Sequence, residues 1–214
     1  MIYQSLKNHV YDYISDEIKN KKLSPNEKIN EQAICTQLNV SRTPVREALI
    51  QLSSDGLLEI TPRKGFRVKA LSLKEAQDLY AVIAQLDVMA AMISLEKLTP
   101  ADFEAMQSAI DSMDVAIRSY TFRDYYKLQM DFHNIYLLKT ENEPLIDTMY
   151  RLKKRFIRQS YTDEISDTIR DILLTTNQEH VQILDLFRNK REEELKECLR
   201  RHWNLNYAEM DSLD

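Results

Sequence analysis

Glycine occurs only twice in the 214-residue chain, at Gly56 and Gly65. Everything beyond Gly65 is free of glycine, and its apolar residues recur at helical spacing, so the region 72–214 is expected to be all-α. The prolines mark boundaries: Pro25, Pro44 and Pro62 fall in the first part of the chain, and Pro100 and Pro144 stand near helix starts in the second. The sequence predicts a mostly α fold in two domains, 1–70 and 72–214, with the only strands in the first.

Charge separates the same two regions. The whole chain has a formal net charge of −5, which is unpromising for a phosphate-binding protein until it is divided. Residues 1–70 carry 11 Lys and Arg against 8 Asp and Glu, whereas the remainder carries 18 against 26. Only the N-terminal domain is expected to face nucleic acid. Neither an uninterrupted apolar run of membrane-spanning length nor a signal-peptide core is found, so a cytoplasmic location is expected. Cys35 and Cys198 are far apart and unpatterned, as suits buried thiols in a reducing compartment.

In the first domain an amphipathic helix is expected over 3–20, with Tyr3, Leu6, Val10, Ile14 and Glu17 along one side and Ile18 extending it, and a short helix over Glu31 to Leu38. Asn39-Val40 then turn into a second helix. Ser41 reads as its N-cap, with the hydroxyl taking a first-turn amide, and Pro44 lies in that first turn. Val45, Ala48, Leu49 and Leu52 share one face of the helix, while Arg42, Thr43 and Arg46 project from its leading end. Gly56 is placed to end the helix. LLEIT and GFRVKA follow as two strands joined by Pro62-Arg63-Lys64-Gly65.

The run VSRTPVREAL, from Val40 to Leu49, resembles the recognition helix of the GntR superfamily of bacterial winged helix-turn-helix repressors. The resemblance implies a DNA-binding site of Ser41, Arg42, Thr43 and Arg46 in the major groove, where Arg can bond O6 and N7 of guanine, and a wing-tip contact at Lys64 and Gly65. Glu31 matches an acidic family position; Asn26 stands where a loop glycine is usual, and Asn tolerates such a turn.

In the second domain, Ser72 to Glu75 reads as a capping box opening a long helix with an apolar stripe of Leu79, Val82, Ile83, Leu86, Met89 and Ile93. Further helices are expected from Thr99-Pro100 with Asp102, from Thr121 to about Lys139, from Pro144 to about Ser160, from a cap at Thr176, and over 191–210, with 161–175 a loop containing a short helix. Six main helices resemble the smaller, VanR-like version of the FCD effector domain of FadR-type GntR proteins.

Three of the four histidines point into apolar helical faces: His133 beside Tyr136 and Leu137, His180 beside Ile183 and Leu184, and His202 beside Cys198 and Leu199. Their spacing is no metal signature, and inward histidines are commonly core residues. The FCD resemblance implies a divalent metal held by one Asp and three His, which maps onto His133, His180 and His202. Gln129 occupies the Asp position, four residues before His133, and a neutral amide oxygen is a poorer ligand for a hard cation. Three imidazoles still suit zinc or nickel. A family Arg that binds an effector carboxylate corresponds to Ile83, which cannot bind an anion, so an organic-acid effector rests on the resemblance alone.

The leading expectation is a homodimeric repressor, not an enzyme, that binds a palindromic double-stranded DNA operator and responds to a small molecule or metal in the helical domain. The alternative is a metal-dependent hydrolase built on the three histidines. Glu179, next to His180 but about 100° around the helix, is expected to face elsewhere, which leaves that alternative without a general base.

Overall fold

The computed structural model of the chain describes residues 5–20, 22–155 and 167–204. Among these the order is α1 (Leu6–Lys19), α2 (Glu31–Leu38), α3 (Arg42–Ser54), β1 (Leu58–Thr61), β2 (Gly65–Val68), α4 (Leu73–Ser94), α5 (Pro100–Arg118), α6 (Phe122–Lys139), α7 (Glu143–Lys154), α8 (Asp167–Arg188) and α9 (Glu192–His202). The mostly α fold with one small hairpin is as the sequence predicts. Two compact units result: the chain up to Ser72 together with the stretch beginning at Arg151, and the remainder from Leu73.

In the first unit α1 is capped by Ser5, whose hydroxyl accepts from the Asn8 amide, and packs Val10, Ile14 and Ile18 into the core beside α3. Leu6, expected on that face, is 60% exposed, because core contact begins one turn later at Val10; Tyr3 lies outside the described residues. Asn30 caps α2, and Asn39 ends it in the left-handed region at φ +51°. Ser41 holds the N-cap position of α3 but makes no capping bond. The reason is local: the third helical residue, whose amide an N-cap hydroxyl prefers, is Pro44 and has no N–H.

Val45, Ala48, Leu49 and Leu52 are fully buried, as expected of the packed face. Gly56, at φ +77°, terminates α3. Its amide bonds Ser53 O at 3.0 Å while the Leu57 amide bonds Leu52 O at 2.9 Å, the two bonds of a Schellman stop. β1 and β2 pair antiparallel from Leu58 opposite Val68 to Thr61 opposite Gly65. The loop before α2 adds a third edge, with Ile29 N–H on Phe66 O and Val68 N–H on Glu27 O, both at 2.9 Å. Asn26 takes φ +64°, the conformation a glycine would otherwise supply.

In the second unit α4 lies against α6 and α9, α5 against α6 and α8, and α8 against α9. Thr99 and Asp102 form a reciprocal capping box at the start of α5, with Pro100 in its first turn, as predicted. Two boundaries differ from expectation. α8 starts at Asp167, so Thr176 lies inside the helix; its hydroxyl bonds back to Ile172 O at 3.1 Å instead of capping. α9 ends at His202 with Trp203 as C-cap, short of residue 210. Helix α4 is long and apolar enough, over Lys74–Ser94, to cross a membrane by length and composition, yet Asp78, Gln85 and Asp87 interrupt it.

Candidate functional site

The leading end of α3 presents Ser41, Arg42, Thr43 and Arg46 to solvent. Two of them are held by α2: the Arg42 guanidinium donates to Gln32 Oε1 at 3.0 Å, and Arg46 Nε stands 3.7 Å from Glu31 Oε2 while its side chain stays 65% exposed. An exposed pair at that distance is weak and salt-screened, so Arg46 is oriented without being neutralised. At the hairpin tip Lys64 is exposed, Gly65 adopts φ +86° and Arg63 φ +62°, and the Lys64 amide closes the turn on Thr61 O at 3.0 Å.

The second unit brings His133 from α6, His180 from α8 and His202 from the end of α9 together, with one ring nitrogen of each within 4.8 Å of the others. His133 Nε2 and His202 Nε2 are 3.2 Å apart. His133 and His180 have no exposed surface, and the His202 side chain is 1% exposed. Neither nitrogen of His180 has a hydrogen-bond partner among the described residues. Burial, then the neighbouring His202 and His133, pushes the His180 pKa well below the usual imidazole value, so this ring is neutral and a lone pair is available.

Sequence reasoning missed the residues behind the imidazoles. Asp87, fully buried on α4, places Oδ2 3.2 Å from His133 Nδ1, and accepts from the Tyr136 hydroxyl at 2.5 Å and from the Trp203 indole N–H at 2.7 Å. The Tyr136 oxygen is in turn 2.6 Å from His133 Nδ1. Burial and the Asp87 carboxylate raise the Tyr136 pKa well above 10, so the phenol keeps its proton. Glu179, expected to face away, instead reaches His202 Nδ1 at 2.9 Å; the wheel angle from His180 is irrelevant because α9, not α8, supplies the partner.

Gln129 is half-buried. Ile83 is fully buried one turn before Asp87 on the same helix. The predicted stripe of α4 is rephased: Leu79 and Ile83 are buried, but Val82 and Met89 are 49% and 46% exposed, and Asp87 goes inside with Ala76, Val88 and Ala91. Both cysteines are buried and free.

Three converging, buried imidazole side chains are a donor set for a borderline ion such as zinc or nickel. Two nitrogens each ~2.0–2.1 Å from one ion can stand 3.2 Å apart, and the unpartnered His180 nitrogens supply the orphaned polar atoms such an ion would satisfy. His133, His180 and His202 therefore fit a metal. As catalytic machinery the arrangement is poor: its carboxylates are engaged with indole, phenol and imidazole groups.

Residues 6–68 match the model of the bacterial regulatory proteins of the gntR family, and residues 78–205 match the FCD domain. The chain is 28% identical over 170 residues to the Nta operon transcriptional regulator of Aminobacter aminovorans, covering 79% of this chain and 78% of that protein. It is 21% identical to the transcriptional repressor RspR of Escherichia coli, covering 93% and 86%. Among solved structures, E. coli McbR/YncC has the same fold, with a TM-score of 0.80, 21% identity and 96% of each chain covered. A putative GntR regulator from Rhodococcus sp. RHA1 gives 0.75 and 19%, with 98% of each chain covered. These relatives lend the hydrolase alternative no support, and the chain belongs to the GntR family of bacterial regulatory proteins, joining a winged helix-turn-helix to an FCD domain as a DNA-binding transcription regulator rather than an enzyme.

Proposed function

We propose that the protein is a cytoplasmic homodimeric repressor whose hold on a palindromic operator is set by a divalent metal, zinc or nickel, alone or with a small molecule. Residues 1–70 form the DNA-binding domain and 72–214 the effector-binding and dimerisation domain. Arg42, Thr43 and Arg46 read base edges, Ser41 and the wing residues Lys64 and Gly65 approach phosphate, and His133, His180 and His202 hold the ion. The observation that carries the regulatory part is the buried convergence of three imidazoles, one with no hydrogen-bond partner among the described residues. The dimer is supported by Val82 and Met89, exposed and seven residues apart on α4 with half-buried Leu86 between them, a spacing that suits a seam between two-fold related helices.

The test is metal content by elemental mass spectrometry on untagged protein beside His133→Ala, followed by gel shifts on the natural operator with stripped and reloaded protein. About one ion per chain, lost in the variant, with operator affinity differing between the two forms, is the expected result. Equal affinity with and without bound metal would refute regulation by the ion.

A further inference from the structure

Helix α2 meets the leading end of α3 through two side-by-side contacts. Glu31 Oε2 stands 3.7 Å from Arg46 Nε, and Gln32 Oε1 accepts from Arg42 Nη2 at 3.0 Å. Neighbouring residues of α2 thus each hold one arginine, and those arginines are one helical turn apart on α3. The two contacts differ in charge. Glu31 sets a carboxylate beside Arg46, whereas the Gln32 amide takes up one donor of Arg42 and leaves its charge whole.

Chemistry fixes which way that amide faces. Arg has no acceptor, so only the amide oxygen of Gln32 can meet Arg42 Nη2, and the flip of the amide is settled. The backbone beneath is anchored: Asn30 caps α2 by accepting from the Ala33 amide at 3.0 Å, and the Thr36 hydroxyl donates to Gln32 O at 3.0 Å. Gln32 and Arg42 are both exposed, so in the free protein water competes for their bond. A duplex laid against this end of α3 removes that water and strengthens the bond. With one N–H committed, the planar guanidinium has fewer ways to present its remaining donors to a base edge.

We infer that Gln32 is a positioning residue for base recognition, holding the Arg42 guanidinium in one orientation without neutralising it, so that discrimination at the base pair read by Arg42 depends on Gln32. The inference rests on the reading of Arg42 as a base-reading residue and deepens it. Because Arg42 has donors only, the edge it takes is rich in acceptors, as guanine is through O6 and N7. A carboxylate in place of the Gln32 amide would orient the guanidinium equally well, but would bring negative charge against the phosphates.

The experiment uses the full chain and a duplex selected by the wild-type protein from a randomised library. Each base pair of one half-site is then changed in turn, and affinities are read by fluorescence anisotropy over a salt series. Arg42→Ala is expected to lose roughly 5–150-fold of discrimination at one base pair. Gln32→Ala and the similarly shaped Gln32→Met are expected to lose about 2–10-fold at that same base pair, with the salt slope and the melting temperature unchanged. Adding Gln32→Ala to Arg42→Ala is expected to change nothing further. Gln32→Glu, which keeps the acceptor, is expected to retain discrimination while binding every duplex more weakly. Wild-type discrimination in Gln32→Ala, a loss spread evenly over the half-site, additive effects in the double variant, or lost discrimination in Gln32→Glu would overturn the inference. Arg42→Ala separates the two readings: if it discriminates as wild type does, the base-reading role of Arg42 is refuted and the inference with it, whereas loss in Arg42→Ala with full discrimination in Gln32→Ala refutes only the role of Gln32.

Discussion

Removing one oxygen, by Tyr136→Phe, tests the outer network quantitatively. Tyr136 is fully buried and its oxygen makes two bonds, donating to Asp87 Oδ2 at 2.5 Å and lying 2.6 Å from His133 Nδ1. The substitution keeps the ring and its contact with Phe187, whose centroid is 5.1 Å away. His133 Nδ1–H is not orphaned, because it already stands 3.2 Å from Asp87 Oδ2 and can donate there directly. What is lost is therefore one hydrogen bond to a charged acceptor, about 1.5–3 kcal/mol, with no added penalty for a buried unpaired donor. For a domain of this size that lowers the melting temperature by roughly 3–12 °C. Asp87→Ala must cost more, since it strands the Trp203 indole N–H at about 1–3 kcal/mol beyond the lost bonds. Trp203 is the only tryptophan in the chain, so its fluorescence during denaturant unfolding of chelator-treated protein reads the second unit alone. If Tyr136→Phe were neutral, or cost more than Asp87→Ala, the assigned directions of these bonds would be wrong.

Arg46→Ala is expected to weaken binding to the natural operator by about 1–3 kcal/mol and to relax sequence preference at one position, whereas Lys64→Ala should weaken all sequences alike and reduce the salt slope by about 1; gel shifts over a salt series distinguish them. In stripped protein the depressed pKa of His180 means that the unfolded chain binds more protons below about pH 6.5, so stability is full above that value and falls as pH drops through it. The slope is up to ~1.4 kcal/mol per pH unit until the folded pKa is reached, and urea midpoints should lose this component in His180→Phe. Val82→Glu with Met89→Glu is expected to convert the proposed dimer to monomer in light scattering, and a dimer that persists would move the interface elsewhere.

Local signals carried most of the fold into the sequence. The proline-led capping box at Thr99 and the glycine stop at Gly56 act within a few residues, so their structures follow from the residues present. Failures came where the deciding partner is elsewhere or the pattern is ambiguous. Thr176 is a good cap by type, but a threonine hydroxyl can equally bond the carbonyl four residues back, which it does within α8. Helix α4 is apolar on nearly every side, so hydrophobicity cannot phase it, and Val82 and Met89 were placed inward when they face out.

Asp87 is the instructive case, because a single charged residue in an apolar helix was the available signal. On α4 the neighbouring Val88, Ala90 and Ala91 are all buried, and a charge among them costs too much to hold unless it is paired and hydrogen-bonded. An acid at such a position therefore implies donors arriving from other elements, and here they come from α6 and from the residue that ends α9. The chain's departure at Gln129 gains its meaning from this. With an amide at the position where the resemblance places a carboxylate ligand, negative charge near the imidazoles comes from Asp87 on α4 and Glu179 on α8, one hydrogen bond removed from the ring nitrogens that face each other. A carboxylate at that remove orients an imidazole and strengthens it as a donor without occupying a coordination position.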